Sequence, residues 1–119
     1  YLGSIPVLYI TGQVNTYEYK YDKPLRQQGF QETDIVRIVT PITKYAKFID
    51  CAEDIKYELD KALNIALTGR KGPVLLDLPM DIQRAEIDSN KLRGYEIPGL
   101  STNVIKNWDE IEEIIFTAK

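Results

Sequence analysis

An α/β fold, with helices layered on a parallel sheet, is predicted by three features of the sequence. Two short apolar runs, 6-PVLYIT-11 and 73-PVLLDL-78, are bounded by turn residues and have the length of buried strands. A third run, 44-KYAKFI-49, alternates as a strand does. Stretches with helical spacing separate the three, so strand and helix alternate along the chain. Alternation of this kind implies crossover connections and a partial three-layer α/β sandwich with a parallel sheet.

Pro6 opens the first run and Gly12 closes it, so this strand is expected to be buried. The polar segment from Gly12 to Gly29 follows, rich in Tyr, Lys and Gln and without helical period. It reads as a long loop, and loops of that length inside compact domains often carry function. Glu32 to Thr40 carries Ile35, Val36, Ile38 and Val39 and reads as a short helix stopped by Pro41. Asp50 and Glu53 have the spacing of a capping box. The helix they would open places Ile55, Leu59, Ala62, Leu63 and Ala66 on one face and ends at Gly69.

From Ala85 the chain turns polar, and residues 85–106, with Gly94, Pro98 and Gly99, read as a linker. Asn107 and Glu110 then have the spacing to cap a helix carrying Trp108, Ile111, Ile114, Ile115 and Ala118. No strand follows to bury that stripe, which points to a further domain. The expected organisation is a half-domain over 1–84, a linker over 85–106 and the first helix of another domain over 107–119.

Composition narrows the chemistry. The 119 residues carry a net charge of −3 and no basic run, which argues against a nucleic-acid surface. No apolar run approaches the roughly 18 residues that cross a bilayer, and no signal peptide is visible in a chain that begins at Tyr1. The lone Cys51 cannot form an internal disulfide, fits a reducing cytoplasm, and reads as a small buried filler. With no histidine, neither a Ser-His-Asp triad nor a histidine-ligated zinc can be built here. Catalysis would rest on carboxylates, lysine or a bound cofactor.

Five pieces occur in one order: Thr11-Gly12-Gln13-Val14, Gly29-Phe30-Gln31-Glu32-Thr33-Asp34-Ile35-Val36, Ile42-Thr43-Lys44, Thr68-Gly69-Arg70-Lys71-Gly72-Pro73-Val74, and Asp77-Leu78-Pro79-Met80-Asp81-Ile82-Gln83. The series resembles the second half of the N-terminal, pyrimidine-binding domain of thiamine-diphosphate-dependent enzymes of the acetolactate synthase family. The likeness covers roughly residues 5–84.

The resemblance implies a parent enzyme that decarboxylates pyruvate, a 2-keto acid, and transfers the two-carbon unit to a carbonyl acceptor. Thiamine diphosphate and Mg²⁺ would be bound mostly outside this chain, with FAD possible. The active site would lie between subunits of a homodimer or tetramer. The glutamate that engages the aminopyrimidine ring precedes this segment in the family, so the chain alone is expected to be inactive. Such chemistry needs water excluded and a few oriented donors.

By the same resemblance, Gln31 would orient substrate, and Phe30, Gln13, Arg70 and Lys44 would line substrate or cofactor. Four of the five have a plainer reading beside them, Gln31 as a polar residue near a helix start. Phe30 would be a hydrophobic staple, Lys44 a solvated strand end, and Arg70 a charge favourable at a helix C-terminus.

Two departures from the family stand out. Where acetolactate synthases commonly carry lysine in the phrase P-K-D, this chain has Pro79-Met80-Asp81. The loop between Gln13 and Phe30 is also longer than usual and holds Tyr17, Tyr19, Tyr21 and Pro24. Those tyrosines read as an edge strand or hairpin, or as the wall of a pocket for a keto-sugar acceptor in surface-polysaccharide synthesis. A non-catalytic truncated binding module is the remaining alternative.

Overall fold

The computed structural model describes residues 3–99. The expected helix over 107–119 and the end of the expected linker lie outside the described residues.

Three strands, β1 (Leu8–Gln13), β2 (Tyr45–Phe48) and β3 (Val74–Pro79), form one parallel sheet in the order β1-β3-β2. Leu8 and Tyr45 both pair with Val74, and Gln13 pairs with Pro79, so the three strands start level. Helix α1 (Ile35–Val39) connects β1 to β2, and α2 (Ile55–Leu67) connects β2 to β3. The two crossovers travel in opposite directions across the sheet. Right-handed connections therefore put α1 and α2 on opposite faces, which is the expected layered sandwich.

The core lies under α2. Val74 and Leu76 of β3 pack with Ile49 and with Ala62 and Ala66 of α2, while Leu8, Tyr45, Leu59 and Ile82 close around them. Small residues at 62 and 66 let α2 sit close to the sheet. β3 is buried almost throughout, as a central strand should be.

The first strand departs from expectation. It runs through Gly12 to Gln13, and Tyr9 and Ile10 are exposed rather than buried. An apolar run is a sound sign of a strand, but burial depends on neighbours. β1 is an edge of this sheet, and α2 centres on β3, not on β1.

Other boundaries differ from expectation for local reasons. Asp34 caps α1 by accepting from the Arg37 amide, so Glu32 and Thr33 lie outside the helix. Pro41 does not stop the chain's winding; it sits inside a 3-10 turn, Thr40–Ile42, that extends α1. The expected capping box at Asp50 and Glu53 is not formed. A 3-10 turn, Ala52–Asp54, leads into α2, and Glu53 accepts instead from Cys51 Sγ at 3.0 Å. Cys51 is exposed in that turn rather than buried, because Ile49 takes the core position. Leu63 points away from the core and is exposed. With Leu67 it lines a cleft of about 470 Å³ against Gly94, Tyr95 and Ile97, where the segment after α3 (Met80–Arg84) returns along α2.

Gly69 ends α2 as expected, with φ +63° in the left-handed region. Nothing lies within 4 Å of where a Cβ would sit, so the requirement is one of backbone conformation alone. Gly69→Ala should cost about 1–2 kcal/mol, read as a lowered unfolding midpoint.

Candidate functional site

All strands point the same way, so the sheet has a carboxyl end, marked by Gln13, Phe48 and Pro79, and an amino end. Ligand contacts in open α/β sheets gather beyond the carboxyl ends. The five candidate residues divide between the two ends.

Gln13, Phe30 and Gln31 belong to the carboxyl end. Gln13 is buried, and its amide is fully engaged: Nε2 donates to Thr33 O at 2.6 Å and to Asp77 Oδ2 at 2.9 Å, while Oε1 accepts from the Val14 amide. Gln13 thus ties the start of α1 to β3. Asp77 is fully buried and also accepts from Thr11 Oγ1 at 2.7 Å. Burial pushes its carboxyl above the usual range, against the pull of the Thr11 and Gln13 bonds.

Phe30 is 86% exposed, so it is no hydrophobic staple. Gln31 beside it is exposed, has φ +62°, and makes no hydrogen bond through its amide with the described residues. A left-handed, non-glycine residue costs about 1–2 kcal/mol, and such strain gathers at functional sites. An aromatic ring and an amide therefore stand side by side at the carboxyl end with their surfaces open.

Two carboxylates hold the loop that displays them. Glu32 is buried; Oε1 accepts from the Lys20 amide at 2.8 Å, and Oε2 from the Gln28 and Gly29 amides at 2.5 and 2.9 Å. Burial alone would raise its pKa, but those backbone bonds outweigh it and hold the carboxyl below its ordinary value. Asp81 takes the other end of the loop, accepting from the Thr16 amide at 3.0 Å and from Thr16 Oγ1 at 2.5 Å. Gly29 suits a close approach: a Cβ there would lie 3.1 Å from Glu18 O, and the loop would have to give by a few tenths of an ångström to take it.

Neither a strand nor a hairpin forms from the tyrosines. Thr16–Glu18 is a 3-10 turn, and Tyr19 is buried, stacked on Phe48 with centroids 4.4 Å apart. Tyr21 meets both rings edge-on, at 5.2 and 5.9 Å. A cleft of about 300 Å³ opens beside them, lined in part by Asp22, Asp34, Lys47 and Asp50. Burial and the neighbouring Asp34 carboxylate push the Tyr19 hydroxyl's pKa up.

Lys44 and Arg70 sit at the amino end. Lys44 Nζ donates to Ile65 O and to Thr68 O, the latter at 2.7 Å, closing the C-terminus of α2. It is therefore no solvated strand end. Arg70 follows Gly69, and its Nε donates to Ser4 Oγ at 2.9 Å. The structure does not bring these two together with Gln13, Phe30 and Gln31.

No family model matches the chain. Individual relatives do. It is 36% identical over 121 residues to the acetolactate synthase large subunit of Corynebacterium glutamicum, a match covering 99% of this chain and 18% of that protein. A probable acetolactate synthase large subunit of Methanocaldococcus jannaschii is 43% identical over 98 residues, 82% of this chain and 15% of the relative. The chain belongs to the acetolactate synthase-like family. The chloroplastic acetolactate synthase of Arabidopsis thaliana is a third relative, 35% identical across 96% of this chain and 16% of its own length. This acetolactate synthase-like chain thus spans under a fifth of each of these three relatives.

Signals for Glu32 and Asp81 were present in the acetolactate synthase-like motifs, within Phe30-Gln31-Glu32 and Pro79-Met80-Asp81, but Glu32 reaches across the loop to the Lys20 amide and Asp81 to Thr16, 65 residues away. Sequence spacing carries no sign of those contacts. Among the described residues no group of three or more acidic or cysteine side chains converges to hold a metal. No described helix is long and apolar enough to cross a membrane.

Proposed function

We propose that this segment is the second half of a pyrimidine-binding domain. Its parent would be a thiamine-diphosphate-dependent carboligase that decarboxylates pyruvate and passes the two-carbon unit to a carbonyl acceptor. The observation that carries the reading is the open Phe30 ring beside the unengaged Gln31 amide, at the end of the sheet where ligands bind. These two fit the edge and face of a heteroaromatic cofactor and the oxygens of a keto acid.

When bound, thiamine diphosphate supplies the electron sink for decarboxylation. The chain's own residues do the rest of what is assigned to this side of the site. Phe30 is an apolar wall that keeps water from the reacting carbon. The Gln31 amide donates to a substrate carboxylate or carbonyl oxygen and fixes its direction. Gln13, through Thr33 and Asp77, braces the turn that carries both. Mg²⁺ and the diphosphate would be held by other parts of a homo-oligomeric enzyme, and FAD is compatible with the family. The single thiol suits a reducing compartment, the cytoplasm in this reading.

A second reading, with a keto-sugar as acceptor, is favoured by the cleft beside Tyr19, Tyr21 and Phe48, since aromatic rings and carboxylates suit a polyhydroxy ligand. One assay separates the two. The complete protein, given pyruvate, thiamine diphosphate and Mg²⁺ and no other acceptor, is expected to form acetolactate. Pyruvate consumption only on adding a sugar carbonyl would favour the second reading. No consumption under either condition would leave a non-catalytic module.

A further inference from the structure

We propose that Glu32 is a positioning residue whose carboxylate, by gathering the Lys20, Gln28 and Gly29 amides, sets the direction in which Phe30 and Gln31 are displayed. The consequence for turnover rests on the function proposed above; the consequence for loop order does not.

Packing cannot hold Phe30 where it stands, because the ring is 86% exposed. Torsional preference does not favour it either, because Gln31 occupies the left-handed region at φ +62°. Something must compensate that strain within the turn. The Gly29 O to Glu32 N contact is long, at 3.4 Å, and is a weak closure by itself.

Glu32 supplies the strong contacts. It lies one residue after Gln31, at the far end of the turn that has Phe30 and Gln31 at its centre, and is buried where Gln31 is exposed. Oε2 draws in Gln28 and Gly29, the two residues just before Phe30, at 2.5 and 2.9 Å. Oε1 reaches across the loop to Lys20 at 2.8 Å. Phe30 and Gln31 are thereby the apex of a ring closed by one side chain. Three backbone N–H donors on an ionised acceptor are charge-assisted and stronger than neutral bonds.

Chemistry at this position is narrow. Glutamine keeps only one acceptor oxygen, and its NH₂ group would face backbone donors. Aspartate is one methylene shorter and cannot span both sides of the loop. Alanine leaves three amides to find water.

The test uses the complete protein with Glu32→Ala, Glu32→Gln and Gln31→Gly, read by amide hydrogen exchange and by turnover of pyruvate. Exchange at Lys20, Gln28 and Gly29 should be at least tenfold faster in the alanine variant. The glutamine variant should protect one side of the loop but not both. Turnover per folded molecule should fall in step with the loosening across these two variants. Gln31→Gly, which fits φ +62°, should lower turnover while leaving exchange unchanged. If Glu32→Ala does not fold, Glu32→Gln carries the comparison. Unchanged exchange would overturn the proposal. So would a loosened loop with a lowered unfolding midpoint but unaltered turnover per folded molecule, which is what a merely structural role gives. A wild-type protein that does not turn over pyruvate counts against the proposed function; the exchange result then decides the clasp by itself.

Discussion

Asp77→Ala is expected to destabilise the domain by about 2–4 kcal/mol, whereas Asp77→Asn should be nearly neutral. Asp77 is fully buried on the central strand and accepts from Thr11 Oγ1 and Gln13 Nε2. Alanine removes both acceptors, strands two donors and leaves a void. Asparagine keeps the shape and one acceptor oxygen, and the Thr11 hydroxyl can turn to accept from the new NH₂. It also removes a charge that burial disfavours. The sign of the pH dependence follows from the raised pKa of this carboxyl. The folded protein binds the proton more tightly than the unfolded chain, so Asp77 contributes stability at acid pH. That contribution fades as pH rises from the ordinary aspartate range through the raised value. Thermal unfolding against pH should show this contribution in the wild type and lose it in Asp77→Asn. A neutral Asp77→Ala would show that the network holds nothing.

The second large effect concerns Gln31, and the reason is its location. Its amide is open at the carboxyl end of the sheet, while Lys44 spends its ammonium on the carbonyls that end α2 at the other pole. Removing an amide that orients a substrate oxygen for reaction, the role proposed for Gln31, costs about 1.5–2.7 kcal/mol, or roughly 10- to 100-fold in kcat. Removing a helix-capping ammonium costs about 1 kcal/mol of stability and should leave chemistry alone. Both residues lie in motifs of the same family likeness, which by itself does not separate them.

The layered α/β architecture was legible because periodicity and bounded apolar runs are local properties, and β3, α2 and the Gly69 end appear where they were expected. What could not be read depends on distant partners. The exposure of Tyr9 and Ile10 follows from strand order, which no local pattern encodes. Cys51 and Leu63 face outward because Ile49 and Ala62 take the core positions beside them. At the site, the family likeness singled out Phe30 and Gln31 together with Gln13, Arg70 and Lys44, and of these the first two have open surfaces at the carboxyl end. It did not reveal that Gln13 is engaged internally, or that Glu32 and Asp81 tie down the long loop. Those are side-chain contacts across up to 65 residues.

The separation of the two poles is tested most directly by measuring kcat and the unfolding midpoint of Gln31→Ala and Lys44→Ala side by side in the complete protein. Gln31→Ala should lose roughly 10- to 100-fold in kcat at an unchanged midpoint, and Lys44→Ala should lower the midpoint while keeping kcat within about twofold. Full turnover in Gln31→Ala, or a collapse of kcat in a stable Lys44→Ala, would contradict the assignment of the working side to the carboxyl end of the sheet.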